Sequence, residues 1–190
     1  AVEKLSELLT ENTYEINSIS ADKSDRYFPL GKTRTRARFE KLSQYSEIFD
    51  KCEFIILPID EILDNKDSLF IPREKIIAEL PELIYPKNEE AISKKLQELK
   101  KIGINNGSAG NIGAVRLLQK EGFKIHGAHG LNVTNTAALE YYKSCGLKDT
   151  TLSFELSEKD IKNLSGTAQR GIYVYGYLPV MLMRACPQKD

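Results

Sequence analysis

The chain has 190 residues, 41% of them hydrophobic and 28% charged, with 27 basic and 27 acidic side chains and a formal net charge of zero. That length suits one domain with a full core rather than two. The balanced charge excludes a whole-chain electrostatic pull toward nucleic acid or anionic membrane and leaves only local patches. The three cysteines, Cys52, Cys145 and Cys186, lie without paired spacing. Such a sparse, odd set argues against a disulfide scaffold and fits a reducing compartment. No apolar run approaches the roughly 18 residues needed to span a bilayer, so no membrane association is expected. No basic segment leads into an apolar one in the manner of a secretory leader. A cytoplasmic location is the expectation, and a first residue of Ala rather than Met leaves room for an upstream segment.

Residues 1–30 read as an N-terminal helix and linker. AVEKLSELLTE sets Val2, Leu5, Leu8 and Leu9 on one helical face, and the polar stretch after it contains one edge-strand pattern, YEINSIS. From Gly31 the texture changes, and residues 31–190 read as one βα domain. KTRTRARF alternates basic with small or apolar residues, as a strand does, EKLSQYSEIFDK reads as a helix, and CEFIILPID as a buried strand. EILDNKDSLFIPREKIIAEL reads as a loop ending in a short helical piece, and LPELIYP as the next apolar strand. NEEAISKKLQELKKIG repeats Ala91, Ile92, Leu96, Leu99 and Ile102 at helical spacing, with Asn88 as N-cap and Gly103 just past the end.

The rhythm then repeats. GINNGSAGN and KIHGAHGLNV are strands running into turns, each followed by a helix closed by a glycine, Gly122 and Gly146. DTTLSFELS is a strand, SEKDIKNLSG a helix opened by a capping-box pattern of Ser157 and Asp160, and GIYVYGYLPVML the last strand. Strands alternating with helices of about 10–15 residues predict parallel βα units. The fold class is therefore α/β, a parallel TIM-like (β/α) barrel. About seven strands follow Lys32, whereas a closed barrel takes about eight. Either the barrel is incomplete, or YEINSIS completes it, or the chain is part of a larger barrel protein.

Several ordered blocks carry a family resemblance. They are His126-Gly127, Leu131-Asn132 with Asn135, Ser153-Phe154-Glu155-Leu156, and Tyr175-Gly176-Tyr177-Leu178-Pro179-Val180-Met181 followed by Cys186. Together with GSAGNIGAVRLLQKEGF they resemble the U-32 (collagenase-like) peptidases over roughly residues 100–187, the C-terminal half of the barrel region. The resemblance implies an incomplete or modified barrel, usually part of a longer protein. It also implies relatives named as peptidases, several of which look like oxygen-independent hydroxylation proteins acting on RNA bases or quinone precursors. In those, a cysteine-held iron–sulfur cluster forms part of the site. A cluster takes about four thiolates, and only Cys186 falls at a family cysteine position. No cofactor is therefore expected in this chain alone, with Cys186 as a cluster ligand only within a full-length protein.

The residues from Lys124 to Leu147 concentrate the polar candidates at a strand-to-helix junction, where parallel α/β folds meet ligands. His126 and His129 are the only histidines. Three apart on a strand, they face opposite sides and make poor joint metal ligands. Each can be a core-lining or capping histidine or a neutral imidazole that hydrogen-bonds a ligand at the barrel mouth, and His129, nearer the strand end, is the first catalytic candidate. Asn132 and Asn135 offer helix capping or recognition of a planar substrate edge, and Asn111 is the polar residue of the preceding turn. Glu155, read as an inward residue of its strand, is the second catalytic candidate, either as a general base or as partner of Arg34, Arg36 or Arg38. Arg36 is the candidate for binding an anionic substrate group.

The residues contain no nucleophile elbow, no H-E-x-x-H and no Cys/His signature. The leading expectation is a peptidase-family hydrolase domain with a polar cleft at the C-terminal ends of its strands. The alternatives are a non-catalytic scaffolding or substrate-binding barrel beside an upstream domain of the same protein, and a fragment of an iron–sulfur-dependent hydroxylation protein. The substrates these imply are a peptide or an RNA.

Overall fold

The computed structural model describes residues 33–177. The segments read above as N-terminal helix, YEINSIS strand and Cys186 lie outside those residues. The described chain is one parallel sheet of seven strands in the order β1-β2-β3-β4-β5-β6-β7. The strands are β1 Arg36–Arg38, β2 Phe54–Pro58, β3 Ile76–Glu79, β4 Asn106–Ala109, β5 Lys124–Gly127, β6 Leu147–Thr151 and β7 Arg170–Gly171. Spatial order that follows chain order curls the sheet in one direction, with every crossover on its outer face. The result is an incomplete TIM-like barrel. No backbone ladder joins β7 to β1 among the described residues, and the Arg34 side chain reaches Gln169 across the gap at 3.3 Å.

Among the described residues five α-helices cover the outside: α1 Ile59–Asp64, α2 Pro86–Lys101, α3 Ile112–Lys120, α4 Thr136–Ser144 and α5 Glu158–Asn163. None of them is long and apolar enough to cross a membrane. The core lies between sheet and helices. Ile55, Leu57, Ile76 and Ala78 point outward from the strands onto Leu96, Leu99, Leu118 and Leu139, all nearly or fully buried. The opposite face of each strand lines the barrel interior. It carries Arg36 and Arg38, Phe54, Glu79, Asn106 and Ser108, His126, and Asp149. An apolar outer layer around a polar interior follows from the period of two along each strand.

α2 matches its sequence pattern, with Ile92, Leu96 and Leu99 buried at helical spacing. Its start is a correction: Pro86 takes the first helical position and Tyr85 the N-cap, in place of Asn88. Proline suits that position because its missing N–H would have no partner there. At the other end Gly103 has φ +90°. Its N–H donates to the Lys100 carbonyl, and the Ile104 N–H reaches back to Leu99, the paired bonds of a Schellman ending.

Three more readings are corrected. EKLSQYSEIFDK forms two 3₁₀ turns, Leu42–Gln44 and Glu47–Lys51, instead of a helix. Gln44 Oε1 accepts from the N–H groups of Glu40 and Lys41, and Phe39, Tyr45 and Phe49 pack as a ring cluster, so side chains compete for the bonds a helix would use. The third strand is Ile76–Glu79 rather than LPELIYP. The run IIA is fully buried, whereas Leu83 and Tyr85 are exposed. The α-helix of that connection comes first, as α1, directly after β2, and the late helical piece is only the 3₁₀ turn Arg73–Lys75 before β3.

Gly103→Ala places a Cβ in left-handed backbone and is expected to lower stability by about 1–2 kcal/mol. Urea denaturation checks this, and an unchanged midpoint would show that the α2 ending tolerates the substitution.

Candidate functional site

Two charged layers fill the barrel interior. The deeper one joins β1 to β6 and β5. Arg36 holds Asp149 with both terminal nitrogens, each at 2.7 Å, and His126 Nδ1 contacts the second Asp149 oxygen at 2.8 Å. Phe54 completes the layer, its ring 5.2 Å from the His126 ring and 5.1 Å beneath the Arg36 guanidinium. Asp149 faces inward because the β5–β6 register shifts: Ile125 pairs with Leu147, then His126 pairs with Asp149, so Lys148 bulges out. Burial raises the Asp149 carboxyl pKa, but the hydrogen bonds from Arg36 and His126 outweigh it and hold the group at about 2, against an ordinary 3.8. A carboxylate so held accepts only, so His126 Nδ1 carries the proton and donates it.

The second layer lies toward the C-terminal ends of the strands. Arg38 Nε donates to both Glu79 oxygens at 2.9 Å, and its Nη1 reaches Glu40 at 2.8 Å. The Glu79 hydrogen bond raises the Arg38 pKa still further, so the guanidinium is a permanent cation there. Above this pair stands His129, in the 3₁₀ turn His129–Leu131 that follows β5. Its Nδ1 lies 3.3 Å from the Tyr173 hydroxyl, and its Nε2 lies 4.0 Å from Glu82. The rings of Tyr173 and Phe154 flank the imidazole with centroids at 5.4 and 5.8 Å. Burial, and then the Glu79 charge, push the Tyr173 phenol above its ordinary pKa, so it remains a donor. A phenol that donates to Nδ1 leaves the His129 proton on Nε2, the nitrogen that faces Glu82. Gly130 is required in this turn, because a Cβ on it would sit 2.6 Å from the Gly110 carbonyl oxygen, where the β4 and β5 loops meet.

The structure separates the candidates named from sequence. His129 and Asn132 stand at the C-terminal mouth. Asn132 is exposed in left-handed backbone at φ 48°, with no side-chain partner among the described residues. Asn135 caps α4, accepting from the Ala138 N–H at 2.8 Å. Asn111 caps α3 in the same way and donates to the Glu82 carbonyl at 2.8 Å, tying the β4 loop to the β3 loop. Arg36 lies in the deeper layer, away from that mouth. Glu155 needs a correction: β6 ends at Thr151, and Glu155 is exposed in a turn rather than inward on a strand. The partners of Arg34, Arg36 and Arg38 are Glu53, Asp149 and Glu79. Asp149, Glu79, Glu82 and Tyr173 were missed. An aspartate within a run of threonines, facing a strand of alternating arginines, was the signal available for the first of them.

The described cysteines do not fit a thiolate-held cluster. Cys52 precedes β2 and Cys145 ends α4, both outside the barrel mouth that holds His129. No group of three or more His, Cys, Asp or Glu side chains among the described residues is arranged to hold a metal ion.

A singly wound parallel sheet with polar side chains at its C-terminal mouth defines a barrel-type α/β domain of the kind on which enzymes are commonly built. The sequence matches the model of Peptidase family U32 over residues 59–188, more than half the chain, and the chain belongs to that family. Comparison with curated proteins finds no match. Among solved structures, the U32 peptidase Mk0906 superposes with a TM-score of 0.54 at 10% identity, over 78% of this chain and 71% of that one. At that identity the likeness speaks for the fold.

Asp149→Asn leaves Arg36 and His126 with a neutral partner in a buried layer and is expected to cost about 3 kcal/mol in urea denaturation. The acid profile adds a signature. The Asp149 pKa is depressed, so its contribution is complete above the ordinary carboxylate value and fades as pH falls through about 2. The displacement from 3.8 to about 2 is worth on the order of 2 kcal/mol. The wild-type chain should therefore lose this increment between about pH 4 and 2, and the variant should not.

Proposed function

We propose that the chain is the barrel domain of a U32-family hydrolase that binds a peptide across the C-terminal mouth, with His129 as the proton-transfer group. The observation that carries this reading is the contact of the Tyr173 hydroxyl with His129 Nδ1 at 3.3 Å, directly above the strand ends. The reading assigns a role to each neighbour. Tyr173 sets the tautomer of His129. Glu82 faces Nε2–H and stabilises the imidazolium that forms when Nδ1 takes the Tyr173 hydroxyl proton while the phenol oxygen takes one from an attacking water, and the relay then runs back to protonate the leaving amine. Arg38, anchored by Glu79 and Glu40, supplies fixed positive charge near the mouth. Leu83, Ile112, Phe154 and Tyr173 are exposed around the rim and offer apolar surface to peptide side chains. Asn132, with its amide free among the described residues, is placed to bind a peptide group. The setting we assign is cytoplasmic, beside an upstream domain of the same protein.

A second reading is favoured by one observation: Asn111 and Asn135 are engaged as helix caps and Glu155 is turned away. On that reading the domain binds its substrate and leaves catalysis to the upstream domain. Peptide cleavage by the isolated chain separates the two. The hydrolase reading expects cleavage that His129→Ala lowers by about 10²–10⁴-fold and Tyr173→Phe by about tenfold, with circular dichroism unchanged. Full activity in His129→Ala contradicts it, and peptide binding without cleavage supports the second reading.

A further inference from the structure

We propose that the N-terminal mouth of the barrel is a second ligand site, one that takes a small hydroxylated organic anion of the sugar-phosphate class. A cavity of about 420 Å³ opens at that end, opposite the mouth that holds His129. Its rim is formed by residues just before or at the start of the strands, including Arg34, Glu53, Lys124 and Lys148, and its floor by the Arg36–Asp149–His126 layer. The volume suits a ligand of five or six carbons with one phosphate.

The charges sort into engaged and free. Arg36 is taken up by Asp149, and Arg34 by Glu53 at 2.6 Å. Lys124 and Lys148 are exposed on the rim, and their ammonium groups have no partner among the described residues. Glu74 is the one lining carboxylate without an ion pair there. Two free cations against one free anion leave the mouth attractive to a negative group, and the lysines come from adjacent strands, β5 and β6.

The floor and wall ask for something different. His126 is 5% exposed, and its Nε2 is buried with no hydrogen-bond partner among the described residues. With Nδ1 carrying the proton donated to Asp149, the ring in its neutral form presents Nε2 as an acceptor. Glu53 Oε2 is likewise buried and unpartnered, while its Oε1 serves Arg34. Buried acceptors without donors are rare in folded proteins and costly to leave so. An anion without O–H groups brings no donor for them, and inorganic phosphate brings at most two, on the same group the lysines would hold. A ligand that pairs an anionic group, for the lysines, with hydroxyls, for Glu53 and His126, satisfies both sets at once.

Calorimetric titration of the 190-residue chain at low ionic strength tests this, with ribose 5-phosphate, ribose and inorganic phosphate as probes. Saturable one-site binding of ribose 5-phosphate is expected, tighter than inorganic phosphate by about tenfold, with ribose weaker still. The double variant Lys124→Ala/Lys148→Ala should weaken it at least about tenfold without lowering the melting temperature, because both side chains are exposed. Glu53→Gln should remove the preference over inorganic phosphate, and His129→Ala at the other mouth should leave binding unchanged. Absence of saturation at millimolar ribose 5-phosphate, equal affinity for inorganic phosphate, or full affinity in the double lysine variant would each overturn the proposal.

Discussion

The clamp of Arg36 on Asp149 is the constraint on which the rest of the barrel depends. β1 and β6 are separated by β7 and the gap beyond it, and no backbone ladder crosses that gap among the described residues. The guanidinium and carboxylate, with two bonds of 2.7 Å, span that gap from inside. Such a pair needs good geometry and satisfied neighbours to offset its loss of water. Here the bulge at Lys148 turns Asp149 inward, His126 takes up part of the second carboxylate oxygen, and Phe54 covers the guanidinium. The same clamp fixes the tautomer of His126, so a structural ion pair decides the chemistry of a buried imidazole.

The two interior layers divide the molecule functionally. The Arg38–Glu79 layer supports the C-terminal mouth, where His129 is held between two aromatic rings and contacts the Tyr173 hydroxyl. The Arg36–Asp149–His126 layer is the floor of the N-terminal cavity. Each histidine is oriented through Nδ1, one by a carboxylate and one by a phenol. This puts Nε2 of His129 on the side of Glu82, and leaves Nε2 of His126 buried without a hydrogen-bond partner among the described residues. Sequence spacing sets the two on opposite sides of one strand, whereas the structure keeps His126 inward on β5 and lifts His129 into the turn after it.

Much of the fold was legible because local rules and tertiary demands agree. Leu96 and Leu99 on α2, the left-handed Gly103 and the Ser157–Asp160 capping box all appear where the pattern put them. The misreadings fall where side chains override period. Gln44 and the Phe39–Tyr45–Phe49 cluster turn an apparent helix into 3₁₀ turns. β3 was placed one apolar run too late, since burial rather than the run's proline boundaries decides between IIAE and LPELIYP. The candidate site suffered most from one residue. A strict alternation through TTLSFEL carries Glu155 inward, but the strand stops at Thr151, so the inward carboxylate is Asp149. A bulge leaves no mark in composition, and one shifted residue reverses every face assignment beyond it.

A double-mutant cycle on Arg36 and Asp149, with Arg36→Met and Asp149→Leu, tests the clamp most directly. Stability of the wild type, both single variants and the double variant is measured by urea denaturation. The clamp predicts that each single change is strongly destabilising and that the double change restores much of the loss, with a coupling energy of about 2–3 kcal/mol. Additive losses, with coupling below about 0.5 kcal/mol, would show that the barrel does not depend on this pair.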